Sequence, residues 1–164
     1  MRIAFLISLL SLIVCKLPDN EIFVNQTKHV ISIDTSRYAI IKFNSSTDAD
    51  LFDKGAKPSI LSNEEIVRIE ALVDKKVTEY NKSEKRGIYP LVINHPEKYY
   101  KQFIAVTNPK GEKEVWVNCF CSIHNMSSWK KYKVRVMDGG SCYFQLKINL
   151  TKNTIYDFGV NGVA

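Results

Sequence analysis

Hydrophobic and polar positions alternate most strictly over Val115-Trp116-Val117-Asn118-Cys119-Phe120-Cys121. Val115, Val117, Cys119 and Cys121 fall on one side of a period-two ribbon, and Trp116, Asn118 and Phe120 on the other, which predicts a β-strand with two different faces. Cys142 to Leu150 repeats the pattern, with Cys142, Phe144, Leu146, Ile148 and Leu150 set against Tyr143, Gln145, Lys147 and Asn149. Tyr99–Thr107, Trp129–Met137 and Thr154–Asn161 read as further strands, and His29–Ile33 and Tyr38–Phe43 as shorter ones near the start. Asn108-Pro109-Lys110-Gly111 has the chemistry of a type I turn followed by a glycine bulge, and Asp138-Gly139-Gly140-Ser141 supplies the positive φ of a tight hairpin.

One stretch has the helical period instead. Ser62 is a natural N-cap, Glu65 three residues on completes a capping box, and Leu61 with Ile66 can form a hydrophobic staple. Ile66, Ile69, Val73, Val77 and Tyr80 then mark one face, with Arg68, Asp74, Lys75, Lys76 and Glu79 mostly on the other. The helix is expected from about 63 to 85, ended by Gly87. The predicted fold class is α+β, one long helix packed on an antiparallel meander sheet of about five strands. This order resembles the cystatin-like architecture. A leader over 1–15 is followed by a single domain over 16–164, with a spacer and short strands to about 61, the helix over 63–85 and the sheet over 99–161.

Composition adds the class. With 45% hydrophobic and 24% charged residues, 164 residues suffice to bury a core without staples. The net charge of +6 mildly favours anionic partners, but no dense Lys/Arg stripe is present, and nucleic acid is not among the expected partners.

The leader is Arg2 followed by the apolar run Ile3–Val14, broken by Ser8 and Ser11, then Cys15. A dozen apolar residues after a basic start is an export signal, because a spanning helix needs roughly 20. Leu12-Ile13-Val14-Cys15 resembles the bacterial lipoprotein signal, although Val14 stands where that signal has a small residue. The resemblance implies lipidation at Cys15; a plain signal peptide or an uncleaved anchor is the alternative. The domain is expected outside the cytoplasm, in the cell envelope or secreted, touching a membrane only through a lipid on Cys15.

Tyr100-x-Gln102-Phe103, the Val115–Cys121 ribbon, Asp138-Gly139-Gly140-x-Cys142-Tyr143-Phe144, Lys147-Ile148-Asn149-Leu150 and the ending Val160-Asn161-Gly162-x-Ala164 resemble an uncharacterised family of small exported bacterial proteins. The resemblance covers about the last 65 residues and implies fold and export, not a reaction. The Gln-x-Val-x-Gly loop of the cystatin inhibitors is absent.

Candidate chemistry is sparse. Cys119-x-Cys121-x-x-His124 with Cys142 could be metal ligands, but Cys-x-Cys on a regular strand fits tetrahedral zinc poorly, and no metal or other cofactor is expected. With Trp129–Met137 as an intervening strand, Cys142 lies at the opposite end of the sheet from Cys121. About seven residues at ~3.3 Å far exceed the reach of a disulfide, so Cys119, Cys121 and Cys142 are expected to be buried thiols. There is no Gly-x-Ser-x-Gly, phosphate loop, dinucleotide fingerprint or His-Glu-x-x-His, and no catalytic residue is assigned.

One surface stands out. If the helix covers the face with Val115, Val117, Cys119, Val134, Val136, Phe144, Leu146 and Ile148, the other face carries Trp116, Asn118, Phe120, Lys133, Arg135, Tyr143, Gln145 and Lys147. Aromatics mixed with amides and cations on an open sheet suit an anionic or polyhydroxylated ligand, or a protein partner. Cross-strand pairs stabilising a solvated face would give the same pattern. The expectation is a non-catalytic binding or scaffolding domain whose open sheet face captures the ligand, with Trp116 and Tyr143 dispensable for stability. The alternatives are an enzyme or hydrolase accessory with a pocket between helix and sheet, and an inhibitor of a secreted hydrolase acting through the 108–111 or 138–141 turn.

Overall fold

Strand pairing in the computed structural model, which describes residues 34–83, 91–123 and 126–163, runs through a single sheet. Its strands are β1 (Tyr38–Ile40), β2 (Lys57–Pro58), β3 (Tyr100–Thr107), β4 (Lys113–Phe120), β5 (Tyr143–Asn149) and β6 (Thr154–Val160), with helix α1 (Asn63–Lys82) between β2 and β3. The order across the sheet is β1-β3-β4-β5-β6, and β2 shares the β3 edge with β1. β1 runs parallel to β3, and every other pairing is antiparallel. The α+β class stands as expected. The leader with Cys15, the His29–Ile33 strand, the last expected residues of the helix with Gly87, and His124 all lie outside the described residues.

The helix begins where its capping box places it. Ser62 Oγ accepts from the Glu65 N–H at 3.2 Å, and a Glu65 carboxylate oxygen accepts from the Ser62 N–H at 2.9 Å. Lys113 at the head of β4 donates to the same carboxylate at 2.7 Å, which ties the first helical turn to the sheet. Leu61 and Ile66, the staple pair, both join the main core. The Asn108–Gly111 turn also forms as read, with Gly111 at φ +79° and its N–H donating to Asn108 O at 2.9 Å. Among the described residues no helix is long and apolar enough to cross a membrane.

The sheet departs from the expected antiparallel meander of about five strands: it has six, β1 is parallel, and one expected strand is missing. Trp129–Met137 is not a strand; it crosses the sheet as irregular chain and turns. β4 therefore pairs directly with β5, in the register Val115↔Ile148, Val117↔Leu146 and Phe120↔Tyr143. Cys121 and Cys142 are the next residues beyond that last pair, so they meet at one end of the sheet. They form a disulfide with their Cα atoms 4.9 Å apart, and the Cys121 N–H donates to Cys142 O at 3.0 Å. Cys119, Cys121 and Cys142 were expected as unbonded thiols; of these three Cys119 alone is free, and burial pushes its thiol far up in pKa. Asp138–Ser141 is likewise no hairpin between strands. It leads into a 3-10 turn over Gly140–Cys142, with Gly139 and Gly140 at φ +87° and +57°.

Side-chain parity along β4 holds. Val115, Val117 and Cys119 pack with Phe103, Phe144, Leu146 and Ile148 beneath Ile66, Ile69, Val73 and Val77 of α1. The opposite face is not open. Phe43, Leu51 and Phe52 cover Ile104, Val106 and Trp116, and Trp129 with Ala39 covers Phe120. Val134 packs in this second group, on the side away from the helix, which corrects its expected place. The architecture has three layers: helix, sheet, and an irregular roof built from residues 41–56 and 126–138.

Candidate binding cleft

Amide side chains hold the roof. Gln102 on β3, fully buried, donates from Nε2 to Trp129 O at 2.5 Å and to Tyr132 O at 2.8 Å, and its Oε1 accepts from the Val134 N–H at 2.9 Å. Asn118, opposite it on β4, donates to Gln102 Oε1 at 3.2 Å and Val134 O at 3.0 Å. Gln145 on β5 reaches Asn118 Oδ1 and Asn161 Oδ1, and Asn161 donates to Val136 O and Asp138 O. The chain of amides thus crosses β3, β4 and β5 and satisfies six backbone groups of a segment with no ladder of its own.

The two halves of the roof are joined by charge. Lys133 Nζ donates to Asp48 Oδ1 at 2.6 Å and to Thr47 O at 3.2 Å, and lies 5.8 Å from the centre of the Trp116 ring. Burial alone would raise the Asp48 carboxyl, but hydrogen bonds from Lys133 and from the Asn44 N–H outweigh it and hold the group below the ordinary aspartate value. Arg135 donates to Thr47 O at 3.3 Å.

Between these halves and the β4–β5–β6 face lies a cleft of about 340 Å³. Trp116, Asn118 and Gln145 line its floor, Lys133, Arg135 and Met137 one wall, Asp50 and Leu51 the other, and Lys147, Asp157 and Gly159 its outer side. A smaller hollow of about 190 Å³ shares Asp50, Leu51 and Lys147 with it and adds Phe52, Asp53, Glu114 and Tyr156. In that hollow Glu114 accepts from Asn108 at 2.8 Å and from the Tyr156 hydroxyl at 3.3 Å. Burial, then the neighbouring Glu114 carboxylate, pushes the Tyr156 phenol up.

Six of the residues proposed from sequence meet at the cleft: Trp116, Asn118, Lys133, Arg135, Gln145 and Lys147. The other two do not. Phe120 is fully buried, stacked with Tyr100 and edge-on to Trp129, and Tyr143 is half-buried beside it. Trp116 is only 8% exposed, so its ring serves chiefly as packing. Asn118 and Lys133 are largely spent on the roof. Lys147 leans toward Asp157 at 3.7 Å, which leaves Arg135 as the cleft's cation without a carboxylate partner among the described ion pairs. Asp50 and Met137 escape the sequence reading because only the roof's path brings them to the face; Asp157 and Gly159 reach it on β6, paired with Lys147 and Gln145, and are not singled out by the residue pattern. Gly159 has a negative or extended φ, and a Cβ built there meets nothing within 4 Å, so it keeps one side of the cleft open.

The interface between helix and sheet is filled, with Ile69, Val73, Phe103 and Val117 all fully buried. Among the described residues no group of three or more His, Cys, Asp and Glu is placed to hold a metal ion. No family model, curated protein or solved structure matches the chain.

Proposed function

We propose that the protein is an exported, non-catalytic binding domain that takes a small anionic, polyhydroxylated ligand in the roofed cleft on the outer face of its sheet. The observation carrying this reading is the cleft itself. It is a preformed concavity, floored by the Trp116 ring with the Asn118 and Gln145 amides and flanked by Arg135 and Lys147 as well as by Asp50 and Asp157. Such a site suits a molecule whose hydroxyls meet the amides and carboxylates and whose negative charge meets Arg135. The disulfide supports a site of action outside the cytoplasm, since such bonds persist in oxidising compartments. A lipid on Cys15 would fix the domain at the cell envelope. For the finer fold the cystatin-like likeness remains our reading, supported by one helix laid across antiparallel strands; the parallel β1 departs from it.

The test is titration with uronate-containing and sulfated oligosaccharides, followed by amide chemical shifts. Binding should move the resonances of Gln145, Lys147 and Gly159. Gly159→Leu should fill the cleft and block binding while leaving the thermal midpoint unchanged or higher, because glycine is the weaker strand former. Arg135→Ala should weaken binding about ten-fold, the scale of one charge-assisted contact. Undisturbed shifts across the cleft, or full binding by Gly159→Leu, would overturn the assignment.

A further inference from the structure

The roof segment has a second face, turned away from the sheet. Between residues 127 and 137 the chain carries Lys130, Lys131, Lys133 and Arg135 and no acidic residue. Lys133 is neutralised by Asp48, and Arg135 belongs to the cleft. Lys130 and Lys131 are exposed on the crest of a single turn, closed by the N–H groups of Lys131 and Tyr132 donating to Ser128 O at 2.8 and 3.1 Å. The Tyr132 ring stands beside them at 70% exposure, and Met137 further along is 93% exposed.

This crest is held rigidly from below. Gln102 grips Trp129 O and Tyr132 O, and the disulfide joins the chain at both ends of the segment. Lys130 lies 5.3 Å from the centre of the Trp129 ring, Trp129 packs edge-on to Tyr100, and Arg37 sits over the Tyr100 ring, which brings a third cation to the same side. Its neighbour Asp34 is bound to Arg37 at 3.6 Å, and Asp48 is bound to Lys133. An exposed tyrosine and methionine amid cations gain nothing in water. At a charged lipid interface an amphipathic ring and basic side chains are each stabilised.

We propose that the Lys130-Lys131-Tyr132 crest is a docking surface for an anionic lipid bilayer. The patch stands on an exposed turn, Arg37 is offset by Asp34, and its net positive charge comes from Lys130 and Lys131, which have no carboxylate partner among the described ion pairs. Such a shape suits an extended charged surface better than a folded partner, which requires a complementary buried patch.

The experiment is co-sedimentation of the full chain with vesicles of phosphatidylcholine alone and with 30% phosphatidylglycerol added, across a salt series. Each basic residue at such a surface is worth about five-fold in partition. The full chain should prefer the anionic vesicles at least about 25-fold. Lys130→Ala with Lys131→Ala should lower that partition about 25-fold, and Tyr132→Ala should lower it further. The leader, Arg2 included, is the same in the native chain and the double variant, so its own affinity for lipid cancels when the two are compared on the same vesicles. Circular dichroism of the variants checks the fold, and since all three side chains are exposed no loss is expected. Equal partition onto both vesicles, an anionic preference kept by the double variant, or tighter binding to heparin or duplex DNA than to vesicles at the same salt would each overturn the assignment.

Discussion

Gln102 and Asn118 face each other across β3 and β4, and Asn118 Nδ2 donates to Gln102 Oε1 at 3.2 Å beneath a segment that neither strand pairs with. Together they supply the partners that Trp129, Tyr132 and Val134 lack in a ladder. The roof's position on the sheet is thus set by two buried amides rather than by its own secondary structure.

Gln102→Ala would leave Trp129 O, Tyr132 O and the Val134 N–H without their partner. Each buried polar group left unmatched costs about 1–3 kcal/mol, and water entering the gap recovers part of that. The expected loss is about 3 kcal/mol in chemical denaturation. Lys147→Ala, on the same face but partly solvated, should stay within about 0.5 kcal/mol. A loss below ~1 kcal/mol for Gln102→Ala would mean that the roof is anchored elsewhere.

The disulfide closes the chain from Cys121 to Cys142, a separation of 21 residues. Constraint of the unfolded chain over a loop of that length stabilises by about 3 kcal/mol in the chain-entropy account. The double variant Cys121→Ser, Cys142→Ser should lose that amount. The Trp129 emission should also red-shift, since the roof would be tied at fewer points. An unchanged denaturation midpoint would show that the amides alone hold the segment.

Parts of this fold that rest on local signals were legible in the residue pattern. Ser62, Glu65 and the Ile66–Val77 stripe specify the helix, and Val115, Val117 and Cys119 point beneath it as their period requires. The parallel β1 and the cover from Phe43, Leu51 and Phe52 escape the pattern separately. The misreading that displaces the cysteines lies at Trp129–Met137. There Val134 and Val136 alternate with Lys133, Arg135 and Met137, and a chain laid over a sheet face alternates between that face and solvent just as an edge strand does. Removing that strand moves Cys142 from the far end of the sheet to the side of Cys121, so the disulfide and the roof follow from one topological change. The cleft residues share a face by strand parity, which sequence shows. Their enclosure by Asp50, Leu51 and Met137 depends on long-range packing, which it does not.

The Asp48–Lys133 pair predicts a pH dependence with a definite sign. The Asp48 pKa is depressed in the folded protein, so its contribution is fully present above the ordinary aspartate value of 3.8 and is lost as pH falls through the lower folded value. Glu65 and Glu112 are depressed as well, the latter to about 2, so the total acid sensitivity has several sources. The difference between the native chain and Asp48→Asn isolates one of them. At pH 7 the variant should be less stable by about 3 kcal/mol, the cost of breaking a buried pair. The gap should close progressively below pH 3.8. A gap that stays constant from pH 7 to pH 2 would show that Asp48 contributes by packing and not by its charge.

Trp116 and Tyr143, which the sequence pattern presents as equivalent surface aromatics, should separate sharply on truncation. Trp116 is 8% exposed and packs with Phe43, Leu51, Phe52, Ile104 and Val106, so it is the keystone of the second core. Trp116→Ala should cost roughly 3–5 kcal/mol, as for other large buried aromatics. In a chain of this size that lowers the thermal midpoint by roughly 10 °C. Tyr143 is half-buried at the head of β5, beside the disulfide, and its ring lies where a side chain at Gly139 would collide with it. Tyr143→Ala should cost about 1–2 kcal/mol, in proportion to the smaller area removed from water. Paired thermal melts decide the matter: equal, small shifts for the two variants would mean that the roof leaves Trp116 free in solution and that the outer face of the sheet is open after all.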